Sequence, residues 1–214
     1  MSAKPEVNIV IPRGLTSEEL EILPHYTLLG LIVVRWNRLE QTTREFIEVV
    51  CEDGRDAAII STHMGTNSLF DALRVLSEEK LSEEWVEHIR HMIVCIRTVR
   101  DYRNYYVHGA HFPSKGGLLI RTATARKSFN QHDEIVTVDD LQGIIYVLDN
   151  VFEYSWSLFL RLRAERKGET PLPPWPDKPD QPNTLDKSRR PVPARLPQQI
   201  SSVLCMPCSL WCPF

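Results

Sequence analysis

The sequence predicts an all-α protein, an up-and-down helical bundle of about four main helices. Three long segments, at about residues 26–51, 83–107 and 139–167, carry apolar residues at helical spacing, and a shorter one covers 68–80. Short connections join these segments, and no repeat period suggests a solenoid. Between the last two helices, glycines and alternating apolar residues predict a small β-hairpin or an extended excursion.

The composition indicates one domain followed by a tail. With 214 residues and 43% hydrophobic content, the chain fits one sizeable core and is short for two domains. Of its 15 prolines, 11 follow Lys167. We therefore predict an extended segment and a short helix over 1–24, the bundle over 25–167, and a Pro-rich tail without a fixed fold over 168–214.

Hydropathy and cysteine usage favour a cytoplasmic protein. The longest apolar run, 28–34, is far shorter than the roughly 20 residues of a membrane helix, and the first residues begin no signal-peptide pattern. Five cysteines, an odd number, favour free thiols over a disulfide framework. Cys205, Cys208 and Cys212 begin with a metal-like spacing, but no second pair or histidine cluster completes four ligands. We expect no membrane contact, no cofactor and no metal.

Charge is distributed unevenly, although the formal net charge is only −3. From residue 88 to residue 127 the chain has one acidic residue, Asp101, and eight basic ones. The basic residues are Arg90, Arg97, Arg100, Arg103, Lys115, Arg121, Arg126 and Lys127. A local positive field of this kind suits an anionic ligand such as a nucleic-acid backbone. Ordinary solvated helix faces are the alternative interpretation.

The first long helix has one polar residue in an apolar position. Thr16 predicts a helix start, and that first short helix should end near Pro24. The long helix then buries Leu28, Leu29, Ile32, Val33, Trp36, Leu39, Phe46, Ile47 and Val50 along one arc. Glu40 falls inside this arc, where a carboxylate is costly unless it meets a cation or stays protonated. Turn residues predict a loop over 53–67.

The helix predicted over about 83–107 carries the candidate site at its end. Its apolar stripe is Trp85, Ile89, Met92, Ile96, Val99 and Tyr106, and its polar stripe is Arg97, Asp101, Asn104 and His108. Arg103 falls among the apolar positions, as Glu40 does on the first helix. We therefore predict that Arg103 and Glu40 are hydrogen-bonded neighbours across the two helices. Gly109 should end the helix as a C-cap glycine, and Pro113 confirms the stop.

Caps are also predicted for the two last helices. Ser82 is the expected N-cap of the helix over 83–107, and Thr137 is expected to cap the last helix, over 139–167. The apolar surface of the last helix spans more than one face, so it needs more than one neighbour, within the bundle or across a dimer.

The segment Arg103-Asn104-Tyr105-Tyr106-Val107-His108 resembles the HEPN superfamily, whose hallmark is Arg, a polar residue, three further residues and His near such a helix end. The likeness covers about 25–167 by helix order and is specific over 103–109. It implies a bundle that dimerises with two motifs facing a shared cleft, and in active members metal-independent RNA cleavage. Other members are inactive binding or regulatory modules. A cognate antitoxin and a defence setting are likewise implied by this resemblance alone.

The residue types suit that chemistry. Metal-independent RNA cleavage requires a base for the ribose 2′-hydroxyl, an acid for the leaving 5′-oxygen and a cation for the charge on phosphorus. His108 serves as base or acid, Arg103 offers a planar fork to phosphate, and Asn104 orients the imidazole or donates to phosphate. Supporting and RNA-binding residues complete the predicted site: Asp101 and Glu40 in support, and Arg97, Arg100 and Tyr105 against RNA, with Tyr105 stacking on a base.

Helical geometry opposes a site made by one chain. Arg103 and His108 lie roughly 140° apart on an ideal helical wheel, so a straight helix does not bring them together. Either the helix unwinds at Gly109, or residues of two chains combine at a homodimer cleft. The alternative is a non-catalytic RNA- or protein-binding or dimerisation module. There Arg103 neutralises Glu40, and His108 caps the negative end of the helix dipole.

Overall fold

Six helices and three strands make up the described part of the computed structural model, which covers residues 16–52, 54–124 and 130–182. The helices are α1 (Ser17–Glu21), α2 (Leu23–Cys51), α3 (Gly54–Thr62), α4 (Thr66–Lys80), α5 (Glu83–His108) and α6 (Val138–Arg166). The strands are β1 (Ala110–Ser114), β2 (Gly117–Thr124) and β3 (Asn130–Val136). The fold is therefore mainly helical with a small antiparallel sheet, and the four predicted main helices are present as α2, α4, α5 and α6.

One hydrophobic core joins the helices and the sheet. Helix α2 packs against α3, α4, α5 and α6, and α5 packs against both α4 and α6. The whole predicted apolar stripe of α5 is buried. Cys95 is buried and Cys51 is half-buried, both as free thiols. None of the described helices combines the length and apolar character that crossing a membrane requires.

Local sequence signals mark the starts of the first two helices. The Thr16 hydroxyl accepts a hydrogen bond from the Glu19 backbone N–H at 3.2 Å, and the Glu19 carboxylate accepts one from the Thr16 N–H at 2.8 Å. This capping box confirms the predicted helix start. Pro24 lies in the first turn of α2, where its missing N–H costs no helical hydrogen bond.

Helix α3 occupies part of the stretch that was predicted to be a loop, so that prediction is wrong. Gly54, Arg55 and Asp56, which favour a turn in the sequence, form the start of this helix instead. Ala57 and Ser61, four residues apart, are both buried, so this single face packs against the core. Packing of two small side chains is too weak a pattern to show in the sequence, yet it holds a nine-residue helix in place.

The predicted hairpin is a three-stranded antiparallel sheet in the order β1-β2-β3. Ser114 pairs with Gly117 around a two-residue turn, where Gly116 adopts a positive φ of 92° that favours glycine. Pro113, predicted only as a helix stop, belongs to β1, an edge strand on which proline is tolerated. Leu118, Ile120 and Val136 are buried, which fixes the sheet on the core.

Capping hydrogen bonds define both ends of α6. The predicted cap Thr137 forms a capping box with Asp140, through bonds of 2.9 and 3.2 Å. At the other end, the N–H groups of Gly168 and Glu169 donate to the carbonyls of Glu165 and Ala164, both at 3.0 Å. Gly168 has a φ of 67°, so this is a Schellman motif that turns the chain back.

Residues 168–182 contain no helix or strand, but they pack on the helices. Trp175 contacts Trp85 and His88 of α5, and Arg161 of α6. This packing differs from the absence of a fixed fold expected for the tail. The three C-terminal cysteines and the extended segment predicted before residue 16 lie outside the described residues.

Candidate functional site

The end of α5 is seated directly on the sheet. His108 is the last residue of the helix, and Gly109 leaves it in an extended conformation with φ −65° and ψ 156°. A Cβ atom at Gly109 would overlap the Ile120 side chain and would lie 3.3 Å from the carbonyl oxygens of Tyr105 and Arg121. Gly109 therefore ends the helix as predicted. The glycine is needed because β2 approaches too closely for a side chain, and not because the backbone is left-handed.

Arg103, Asn104 and His108 meet within one chain. Nη1 of Arg103 lies 2.7 Å from Nε2 of His108 and 2.9 Å from Oδ1 of Asn104. Asn104 and His108 are exposed, and Arg103 is half-buried. The expectation that one helix cannot bring Arg103 and His108 together is wrong, because the long arginine side chain spans the last turn and α5 stays helical to His108.

The short contact indicates which nitrogen of the imidazole accepts the hydrogen bond. A guanidinium has donors and no acceptor, so Nε2 of His108 must accept the hydrogen bond. The ring is then neutral and carries its proton on Nδ1. An unprotonated imidazole nitrogen is the form that acts as a general base.

The predicted pair of Arg103 and Glu40 is not formed, and that prediction is wrong. Glu40 accepts a hydrogen bond from the Thr66 hydroxyl at 2.8 Å and lies 3.6 Å from Nη2 of Arg44. The carboxylate is thus satisfied by the start of α4 and by its own helix. Arg103 meets no carboxylate among the described residues, and its Nε is buried without a partner there. Its guanidinium contacts the other two motif residues, Asn104 and His108, instead.

The other charged residues predicted for the site belong to ion pairs. Asp101 accepts from Arg100 at 3.1 Å and makes no hydrogen bond to His108 within the described part of the chain. Arg100 also bonds Asn67, and Arg97 lies 2.8 Å from Asp71. Because exposed ion pairs contribute little stability, they open readily for a competing anion. Binding of RNA by Arg97 and Arg100 stays a prediction.

Tyr105 fastens α5 to the sheet. Its hydroxyl donates to Glu134 of β3 at 2.7 Å, and its ring meets Tyr106 edge-on at 5.0 Å. Burial and the neighbouring Glu134 carboxylate raise the pKa of Tyr105, so the phenol remains neutral and donating. Its predicted role in base stacking stays a prediction.

His111 is a site residue that the sequence reasoning missed. Its Nε2 donates to the Tyr106 carbonyl at 2.7 Å, which satisfies one of the free carbonyls in the last turn of α5. Its ring meets Tyr26 of α2 at 6.4 Å. A histidine just after a predicted helix end is a known capping signal, and it could have identified this residue.

No group of three His, Cys, Asp or Glu side chains within the described ranges is placed to hold a metal ion. The arrangement offers an exposed imidazole, an amide and a guanidinium at one helix end. Comparisons of the chain with protein-family models, with curated proteins and with solved structures found no match.

Proposed function

We propose that this protein is a metal-independent endoribonuclease with an up-and-down, HEPN-like helical bundle. The observation that carries the proposal is the 2.7 Å contact between Arg103 and an exposed His108, with Asn104 on the same guanidinium nitrogen. The Arg-Asn-x-x-x-His pattern of the HEPN superfamily supports it from the sequence.

In the proposed reaction, phosphate binding draws the guanidinium of Arg103 away from His108 and towards a phosphoryl oxygen. This frees the Nε2 lone pair, which takes the proton from the ribose 2′-hydroxyl. The 2′-oxygen attacks phosphorus, the bond to the 5′-oxygen breaks, and water protonates the leaving oxygen. Arg103 stabilises the charge that develops on the phosphoryl oxygens, and Asn104 holds the guanidinium near its working position. The products are a 2′,3′-cyclic phosphate and a 5′-hydroxyl.

A non-catalytic binding module is the second candidate, and one observation favours it. The two hydrogens of Arg103 Nη1 are both engaged within the motif, by Asn104 and His108. The same contacts therefore also describe a closed cluster of side chains at the C-terminal end of α5. In that case the motif maintains a surface for RNA or protein and performs no chemistry.

Cleavage of a single-stranded RNA by the purified full-length chain, with and without EDTA, tests the proposal. We expect cleavage that resists the chelator and falls about 10²- to 10⁴-fold in His108→Ala, the range for loss of a general base. His63→Ala is the matched control, because His63 is an exposed histidine elsewhere on the surface. Retained cleavage by His108→Ala would refute the assignment. RNA binding without any cleavage would support the module.

The partners in this proposal are RNA, a second copy of the chain and a cognate antitoxin, with the cytoplasm as location. The antitoxin and the defence setting rest on the resemblance alone. The homodimer also rests on it, since the helical-wheel reason for a two-chain site no longer holds.

A further inference from the structure

Residues 169–182, here called the strap, lie over the groove between α5 and α6. The indole of Trp175 is the centre of this contact. It stacks on His88 at 4.5 Å and 9°, it meets Trp85 at 4.6 Å, and the guanidinium of Arg161 lies 4.0 Å from its centroid. The half-buried indole of Trp175 thus packs against an imidazole, an indole and a cation, far from the end of α5 that holds the motif.

Side chains of the groove hold the rest of the strap. Arg161 donates to the Pro173 carbonyl, His91 donates to the Pro179 carbonyl at 2.9 Å, and Lys178 pairs with Glu87. The prolines of the strap have no N–H group, so they cannot contribute donors to a backbone ladder. The strap can therefore leave the groove without breaking hydrogen bonds between the helices, turning at Gly168.

His88 is a titratable ring that stacks directly on the Trp175 indole. It is 8% exposed, and its Nδ1 lies 2.8 Å from the Tyr154 hydroxyl. The charged and titratable groups around it are Glu84, Glu87 and His91 on α5, Tyr154 and Arg161 on α6, and Lys178 on the strap. Burial and then Lys178 lower the pKa of His88 from its ordinary value of 6.5, while Glu87 and Glu84 oppose the shift without reversing it.

We propose that the strap is a pH-sensitive latch, in which Trp175 docks on neutral His88 and is released as His88 gains a proton. Protonation would bury a charge between the indole and Tyr154 and would bring a second cation to a ring that Arg161 already contacts. The cost of burying the new charge and its repulsion from Lys178 oppose the attraction between an imidazolium and an indole face.

The direction with pH follows from the lowered pKa of His88. The docked state prefers the neutral ring, so docking is at full strength above the ordinary pKa and is lost as the pH falls below it. For a group with an ordinary pKa near 6.5, docking weakens by up to about tenfold between pH 7.5 and 5.5. The contact from His91 does not reverse this trend, because a protonated His91 still donates to Pro179.

NMR titration of the histidine rings in the full-length chain tests the latch. Linkage is reciprocal, so if docking of Trp175 lowers the pKa of His88, protonation of His88 must weaken docking by the same factor. We expect His88 to titrate at lower pH in the wild type than in Trp175→Ala, with exposed His63 unchanged as the internal reference. An equal or higher value for His88 in the wild type would overturn the proposal.

The Trp175 indole resonance gives a second, independent readout. In the wild type it should move towards its released position as the pH falls from 7.5 to 5.5. The same should hold in His91→Gln, which keeps His88 intact. In His88→Asn, whose amide replaces the group that bonds Tyr154, the movement should disappear. Persistence of the movement in His88→Asn, or its loss in His91→Gln, would also overturn the latch.

Discussion

Gly109 shows at the scale of one residue how a backbone contact determines the geometry of the site. Gly109→Ala should lower the free energy of unfolding by about 1–3 kcal/mol, since the new methyl group overpacks Ile120. Urea denaturation measures the change. Gly30→Ala is the matched control: nothing lies within 4 Å of the added atom, and alanine favours an exposed helix by about 0.5–1 kcal/mol. A Gly109 variant as stable as the wild type would show that α5 does not rest on β2.

The hydrogen bond between Arg103 and His108 makes a second prediction for a single residue. Above the titration range of the ring, ¹⁵N chemical shifts of His108 should show Nε2 as the acceptor nitrogen and Nδ1 as the protonated one. Arg103→Gln should release this constraint, while Arg97→Gln, on the same helix but bonded to Asp71, should not. A protonated Nε2 in the wild type would contradict the hydrogen bond from Arg103. It would also contradict the proposal that Nε2 of His108 is the general base.

Helix caps give a prediction at the scale of the element. Thr137→Ala should destabilise the protein by about 1 kcal/mol, because the hydroxyl accepts from the Asp140 N–H at the start of α6. Ser82→Ala provides the comparison at the start of α5, since Ser82 makes no side-chain capping bond in the described structure. Its effect should stay within about 0.5 kcal/mol. Thermal or urea unfolding measures both, and equal losses would show that the capping box contributes nothing specific.

The elements that could be predicted are those whose signal is local and repeated. The stripe from Trp85 to Tyr106 repeats over about six turns of α5, and every predicted member is buried. The buried residues of helix α3 are Ala57 and Ser61. Two small residues give too weak a helical pattern, and the turn-forming residues at the start of α3 led to the prediction of a loop. Strand β1 was not predicted because a proline such as Pro113 is found both after helix ends and on edge strands. The pairing of β1 with β2 distinguishes the two cases, and the sequence does not show it.

The residue pattern at the end of a periodic helix selects Arg103, Asn104 and His108, which lie in contact, but it did not predict those contacts. A helical wheel describes Cα directions, however, and it gives no information on the reach of an arginine side chain along the last turn. The partner of Glu40 was also beyond reach, because Thr66 lies 26 residues away in sequence and is brought near only by the packing of α4. Because Thr66 bonds the Glu40 carboxylate, Glu40 does not need Arg103 as a partner. Arg103 contacts Asn104 and His108 instead.

At the scale of the whole molecule, α5 connects two separate sets of contacts. The strap contacts its first turns through Trp85 and His88, and the motif occupies its last turn at His108. Twenty helical residues span about 30 Å, which is beyond the screening length of roughly 8 Å for exposed charges at physiological salt. The acid response of the strap and the proposed chemistry of the motif should therefore be separable by mutation.

Because Arg103, Asn104 and His108 meet in one chain, the whole-molecule prediction is that each copy carries a complete set of reacting groups. Co-expressed Arg103→Ala and His108→Ala chains, purified together through two different tags, should cleave RNA no faster than either variant alone. Wild type co-purified with His108→Ala is the control, and its rate should follow the share of wild-type chains. Cleavage restored in the mixed variants, together with dimers in sedimentation, would instead place Arg103 of one chain against His108 of another.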